Sequence, residues 1–171
     1  MEKNTNFKDE LASLKLLVFD VDGVFTDGSI LLLENGDQVR TFNIKDGFMV
    51  QQAIKKGLHL AVITGARSQA VKGRLEYLGI KDIYLGVQDK LDAYNELLAI
   101  HHYAQSEVLF MGDDMPDYDI MKRTGIPVCP ADAVPEIREI SRYISPFSGG
   151  KGCVRDIVGQ VLRAKQLITH T

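Results

Sequence analysis

Asp20 and Asp22 stand one residue apart where an apolar run gives way to glycine, in VFDVDGVFTDG. On an extended strand the side chains at i and i+2 share a face, so the two carboxylates are expected side by side, each raising the other's affinity for a proton. Such a pair calls for a positive partner. Further along, Thr64-Gly65 closes the run LAVIT, Lys90 opens a helical stretch in QDKL, and Asp113-Asp114 follows VLFMG. Three carboxylates, Asp20, Asp22 and Asp113, form the hard-oxygen set that Mg2+ favours. A threonine hydroxyl, backbone amides and a lysine ammonium suit a dianionic phosphate bridging to that ion. Taken together the residues describe phosphoryl transfer. Singly, each has an ordinary explanation as a turn, a buried strand end or a solvated first-turn lysine. It is their order at successive strand ends that points to chemistry.

The elements that must position them follow a βαβ rhythm, with short β-branched runs alternating with amphipathic stretches and glycine or proline at the joins. Parallel strands are expected over 14–20, 58–64, 82–85, 107–111 and 126–128, and helices over 46–56, 67–78, 90–101, 116–124 and the segment after Gly152. In the third helix Leu91, Tyr94, Leu97, Leu98 and His101 share one face. This alternation predicts an α/β fold, a doubly wound, Rossmann-like and mainly parallel sheet, with ligands at the carboxyl ends of the strands. One hairpin interrupts it: SILLLENGDQVRTF carries Asn35-Gly36 between two β-rich runs. Its run Ile30-Leu31-Leu32-Leu33 does not alternate, so it is covered either by its own domain or by another subunit.

At 171 residues, 45% hydrophobic and 25% charged, the chain suits a single domain over 1–171 with a proper core. Cys129 and Cys153 are too few for a disulfide framework or a zinc ribbon and read as buried thiols of a reducing compartment. The polar opening MEKNTNFKDELASLK is unlike a secretory signal, and no apolar run reaches membrane-spanning length, so a cytoplasmic location is expected. A net charge of −3 argues against nucleic acid or an anionic membrane as partner.

DVDGVFTDG, VITGA, QDKL and GDDMPD resemble the four motifs of the haloacid dehalogenase superfamily, over nearly the whole chain from Leu14 onward. No cap-sized insertion follows the first or third strand. With TFNIKDGFMV and SGGKGCVRDI, this narrows the resemblance to the capless sugar-acid phosphatases, which act on 3-deoxy-D-manno-octulosonate 8-phosphate, a lipopolysaccharide precursor, or on nonulosonate 9-phosphates. The resemblance implies that Asp20 is the nucleophile and Asp22 the general acid/base. It implies that Asp20, the backbone carbonyl of Asp22, and Asp113 hold Mg2+, and that Thr64, Gly65 and Lys90 bind the phosphoryl group. Asp22, Asn43, Lys45, Asp46, Gly47 and Arg74 would meet the substrate, with Asp114 and Asp117 in support. A homotetramer is implied, with the Gly149-Gly150 tail entering a neighbouring active site. Gln51 and Ala66 stand where the octulosonate phosphatases commonly carry arginine.

Other signals carry less. SPFSGGKGC fails as a nucleotide P-loop, because Ser145 replaces its first glycine and Gly152 its metal-binding hydroxyl. His59, His101, His102 and His170 have no ligand spacing and read as structural or exposed. A signalling receiver domain would share the acids, threonine and lysine but not their order, and a noncatalytic assembly module would have no need of all five.

Overall fold

In the computed structural model, which describes residues 6–169, six parallel strands form one sheet. They are β1 (Leu16–Phe19), β4 (His59–Ile63), β5 (Asp82–Tyr84), β6 (Val108–Met111), β7 (Ile126–Cys129) and β8 (Tyr143–Ile144), in the spatial order β5-β4-β1-β6-β7-β8. The central strands are buried on both faces, which explains their unbroken apolar sequences. Alternate residues feed two cores. Leu17, Phe19, Val62, Leu109 and Val128 meet helices α1 (Phe7–Ser13), α2 (Ile44–Lys55), α3 (Gln69–Tyr77) and α7 (Cys153–Ala164). Leu16, Val18, Ala61, Ile63 and Phe110 meet α4 (Lys90–His101), α5 (Tyr118–Met121) and α6 (Pro135–Ile140). The result is the expected three-layer, Rossmann-like α/β fold.

Several expectations need correction. β1 stops at Phe19, one residue before the first aspartate. The stretch expected as a helix over 116–124 is a 3-10 turn, Met115–Asp117, running into the single-turn α5, because Pro116 restricts the backbone there. Helices α1 and α6 and the edge strand β8 were not foreseen: α6 buries only Ile137, and β8 is two residues long. On α4, Leu91 and His101 are only half-buried, while Lys90 and Ala93 are buried.

The hairpin forms from β2 (Leu31–Leu32) and β3 (Gln38–Val39), with Leu31 opposite Val39. It does not fold back onto its own domain: Leu31 is 63% and Leu32 71% exposed. Only its base is anchored, where Phe42 stacks on Phe25, itself packed edge-on against Phe19.

Candidate active site

Asp20 follows β1 directly, its N–H bonded to the Met111 carbonyl, which fixes it at the carboxyl edge between β1 and β6. From Val21 the chain leaves the strand. Val24 and Thr26 N–H groups both close onto the Val21 carbonyl, and the Thr26 hydroxyl accepts from Gly23 and Gly28. Asp22 therefore sits on a turn, where the expected strand alternation does not apply. Gly23 adopts φ +82°, and a Cβ there would lie 1.9 Å from Asp113 Oδ2. The glycine after the second aspartate is what lets this loop close onto the acid from β6.

Lys90, the first residue of α4, turns inward and is 8% exposed. Its ammonium lies 2.9 Å from Asp20 Oδ2 and 2.8 Å from Asp117 Oδ1. Asp117 Oδ2 accepts the Asp113 N–H at 3.1 Å, so both Asp117 oxygens are committed to holding other site residues. Asp114 does not touch Lys90; it is exposed and caps the 3-10 turn through the Met115 N–H. Thr64 is buried at the end of β4, its hydroxyl accepting from Ala66 N–H, and Gly65 stands exposed beside it.

Asp20, Asp113 and Asp117 offer carboxylate oxygens within 4.8 Å of one another. Burial, then Asp117, push the Asp20 carboxyl up to about 7 despite Lys90. Burial and the neighbouring acids Asp20, Asp117 and Asp114 push Asp113 up to about 8. Lys90 is held above its usual range because Asp20 and Asp117 outweigh its desolvation. One ammonium thus stands among three carboxylates, Asp20 and Asp117 buried and Asp113 partly so. The excess negative charge and the hard oxygen donors fit a divalent cation such as Mg2+, which Asp20 and Asp113 could hold through their side chains.

Asp22 itself is gripped by a residue the sequence offered no reason to choose. Arg40, at the end of the hairpin, donates from Nε to Asp22 Oδ1 at 2.6 Å and from a terminal nitrogen to Oδ2 at 3.1 Å. No local pattern links two residues 18 apart; the hairpin brings them together.

Beside Asp22 opens a crevice of about 1000 Å3 between the hairpin and the start of α3, lined by Asp22, Arg40, Gly65, Ala66, Arg67 and Arg74 among others but not by Asp20, Lys90 or Asp113. Arg74 is among the residues that line the crevice. Asn43, Lys45, Asp46 and Gly47 do not line this crevice. Asn43 caps α2 and donates to the Gly150 carbonyl, while Lys45 is exposed on a smaller, separate cavity. Asp46 is fully buried and accepts the Arg155 N–H at 2.8 Å, because Gly152 at the α7 N-cap has no side chain to do so. Gly47 clears room for Arg74, whose guanidinium lies 2.8 Å from where a Cβ would be. The Gly149-Gly150 segment packs on its own chain: a Cβ at Gly149 would meet the Gly23 carbonyl at 2.0 Å, and Gly150 N–H bonds the Val24 carbonyl. His59 and His101, read as lacking any ligand relation, lie 4.5 Å apart between ring centres, whereas His170 falls outside the described residues.

Residues 82–155 match the family of haloacid dehalogenase-like hydrolases. The chain is 37% identical over 154 residues to the 3-deoxy-D-manno-octulosonate 8-phosphate phosphatase of Yersinia pestis, covering 90% of this chain and 82% of that one. The crystal structure of the Yersinia pestis enzyme superposes with a TM-score of 0.90 at 36% identity, over 93% of this chain and 86% of the other. The corresponding enzyme of Moraxella catarrhalis, in complex with magnesium, phosphate and KDO, gives 0.90 at 32% identity, over 93% and 91%. The acid cluster, the missing cap and these likenesses agree, and the chain belongs to the haloacid dehalogenase superfamily as one of its capless phosphatases.

Proposed function

We propose that this phosphatase is Mg2+-dependent, acts in the cytoplasm as one domain, and hydrolyses a phosphorylated sugar acid, 3-deoxy-D-manno-octulosonate 8-phosphate first among candidates. The observation that carries the reaction is the buried Asp20-Lys90-Asp117 array with Asp113 beside it. The substrate follows from the relatives of Yersinia pestis and Moraxella catarrhalis, whose names carry it. The free, buried thiols of Cys129 and Cys153 suit a reducing compartment.

Phosphate monoesters resist water so strongly that catalysis must supply as much as ~10²¹-fold, and covalent catalysis divides that barrier. An Asp20 oxygen attacks phosphorus while the bond to the sugar oxygen breaks, leaving an aspartyl-phosphate. Asp22 gives its proton to the departing oxygen, then takes one from the water that attacks phosphorus, releasing phosphate and restoring Asp20. Lys90, Thr64 and the backbone at Gly65 hold the phosphoryl oxygens. Bound by Asp20, the Asp22 carbonyl and Asp113, Mg2+ supplies charge that offsets both the carboxylates and the phosphoryl group. Arg74, which lines the crevice beside Asp22, would meet the substrate carboxylate.

The exposed leucines of the hairpin support assembly into a homotetramer, with this ribbon between subunits. The decisive assay is phosphate release from a panel of octulosonate, nonulosonate and simple sugar phosphates. Turnover of a sugar acid phosphate should exceed that of the simple sugars, vanish with a chelator, return with Mg2+ and be lost in Asp20→Asn. Full turnover in excess chelator, or no preference for sugar acids, would overturn the reading.

A further inference from the structure

Helix α4 begins at Lys90, against Asp20 and Asp117, and ends at His101, about 16 Å away along its axis. Its far end lies at the opposite, amino-terminal edge of the sheet, where β4 begins with His59 and β5 with Asp82. There His59 Nε2 lies 2.6 Å and His101 Nε2 3.2 Å from the same oxygen, Asp82 Oδ2. The His101 approach is off line, so this buried nitrogen makes no hydrogen bond. We propose that His59, Asp82 and His101 form a second metal site, separate from the acid cluster and suited to a borderline transition-metal ion, Zn2+ foremost.

The chemistry of the donors distinguishes this site from the first. Two imidazoles and one carboxylate select Zn2+, Co2+ or Ni2+ over Mg2+, which prefers oxygen throughout. Two ligands each about 2.0–2.1 Å from a tetrahedral ion are about 3.3 Å apart; the 3.2 Å between His101 and Asp82 already matches this, while the 2.6 Å between His59 and Asp82 must widen to admit the ion. His59 Nδ1 sits 3.1 Å from the Tyr103 hydroxyl. With its hydrogen on Nδ1, donated to Tyr103, the ring presents its Nε2 lone pair toward Asp82, the second-shell arrangement typical of a ligating histidine. The three side chains remain 22–31% exposed, which leaves an entry path and room for water as a fourth ligand. An ion there would pin the starts of two neighbouring strands to the end of α4.

The site stands independently of the phosphatase reading, and its test separates the two. With the acid cluster saturated by Mg2+, calorimetry of the whole chain should show one further equivalent of Zn2+ bound, raising the melting temperature by about 5–10 °C at roughly 100 times Kd. His59→Gln and His101→Gln should each lose that equivalent while Mg2+-supported turnover stays unchanged. Tyr103→Phe should weaken it about 10- to 100-fold. Co2+ at this site should give the visible absorption of a low-coordinate, nitrogen-bound ion, absent from the histidine variants. Retention of the Zn2+ equivalent in both variants, or its absence from the wild type, overturns the proposal. Should the variants fail to fold, the ring-proton resonances of His59 and His101 in the wild type decide: they must shift when Zn2+ is added, and unmoved resonances refute the site.

Discussion

Replacing Arg40 tests how Asp22 is made ready to move a proton. Both Asp22 oxygens accept from the Arg40 guanidinium, at 2.6 and 3.1 Å, and the Arg40 side chain is only 5% exposed. A carboxylate held in this way is aimed but accepts only, so one of the two contacts must open when Asp22 serves the leaving oxygen. A charge-assisted hydrogen bond contributes about 1.5–3 kcal/mol. The Asp22 side chain is 33% exposed, so solvent screening puts the loss toward the lower end, about 1.5–2 kcal/mol. Arg40→Gln should therefore lower kcat/KM for a sugar phosphate by about 10- to 30-fold, with Arg40→Lys in between because it keeps the charge but not the fork.

The discriminating substrate is p-nitrophenyl phosphate, whose leaving group departs without a proton. Its kcat/KM reports only the first step and should change less than about 3-fold, while its kcat should fall because Asp22 must still activate water. Rapid mixing should then reveal a burst of nitrophenolate in Arg40→Gln. Equal losses in kcat/KM for both substrates would move Arg40 to the phosphate site or to the fold, and no loss in either would make the ion pair irrelevant to turnover.

Arg74→Ala should lower kcat/KM for the preferred sugar acid phosphate about 10- to 100-fold while sparing an aryl phosphate without the carboxylate; equal loss on both would contradict its placement against that group. For Asp46, burial raises the folded carboxyl above its unfolded value, so the native state binds the proton more tightly and this residue's effect on stability worsens as pH rises from about 4. Urea denaturation of Asp46→Asn should show a flatter fall in stability from acid to neutral pH, and an unchanged slope would refute the assignment. Leu31→Asp with Leu32→Asp should leave the fold intact and convert an oligomer to monomers by light scattering; unchanged mass would remove the hairpin from any interface.

What could be read from the chain was whatever the backbone alone brings together. A parallel sheet sets all its strand ends along one edge, so Asp20, Thr64 and Asp113 converge once their strands are recognised, and the strands declare themselves because burial on both faces makes them continuously apolar. Lys90 follows for the same reason, as the first residue of a helix starting at that edge. The alternation expected to set Asp22 beside Asp20 does not operate, because the chain leaves the strand at Val21 and closes a turn through Val24, Thr26 and Gly23, and Asp22 pairs with Arg40 instead.

Contacts made by side-chain reach left no such trace. Arg40 meets Asp22 only because an Asn-Gly turn returns the chain to the loop, and nothing in the spacing of 18 says where a long, flexible guanidinium will land. Asp46 looks like an active-site acid when read with its motif. Its destination was set by a need elsewhere, since α7 starts at a glycine and Arg155 N–H had to find an acceptor. His59 and His101 lie 42 positions apart with no ligand motif between them. They meet because β4 begins, and α4 ends, at the same edge of the sheet, with Asp82 on the neighbouring strand. One helix thus has a cluster of chemistry-bearing side chains at each of its ends. The acid end was legible because Asp-x-Asp-Gly and Gly-Asp-Asp mark it locally, whereas the histidine end is composed of single residues from three elements and exists only in the folded chain.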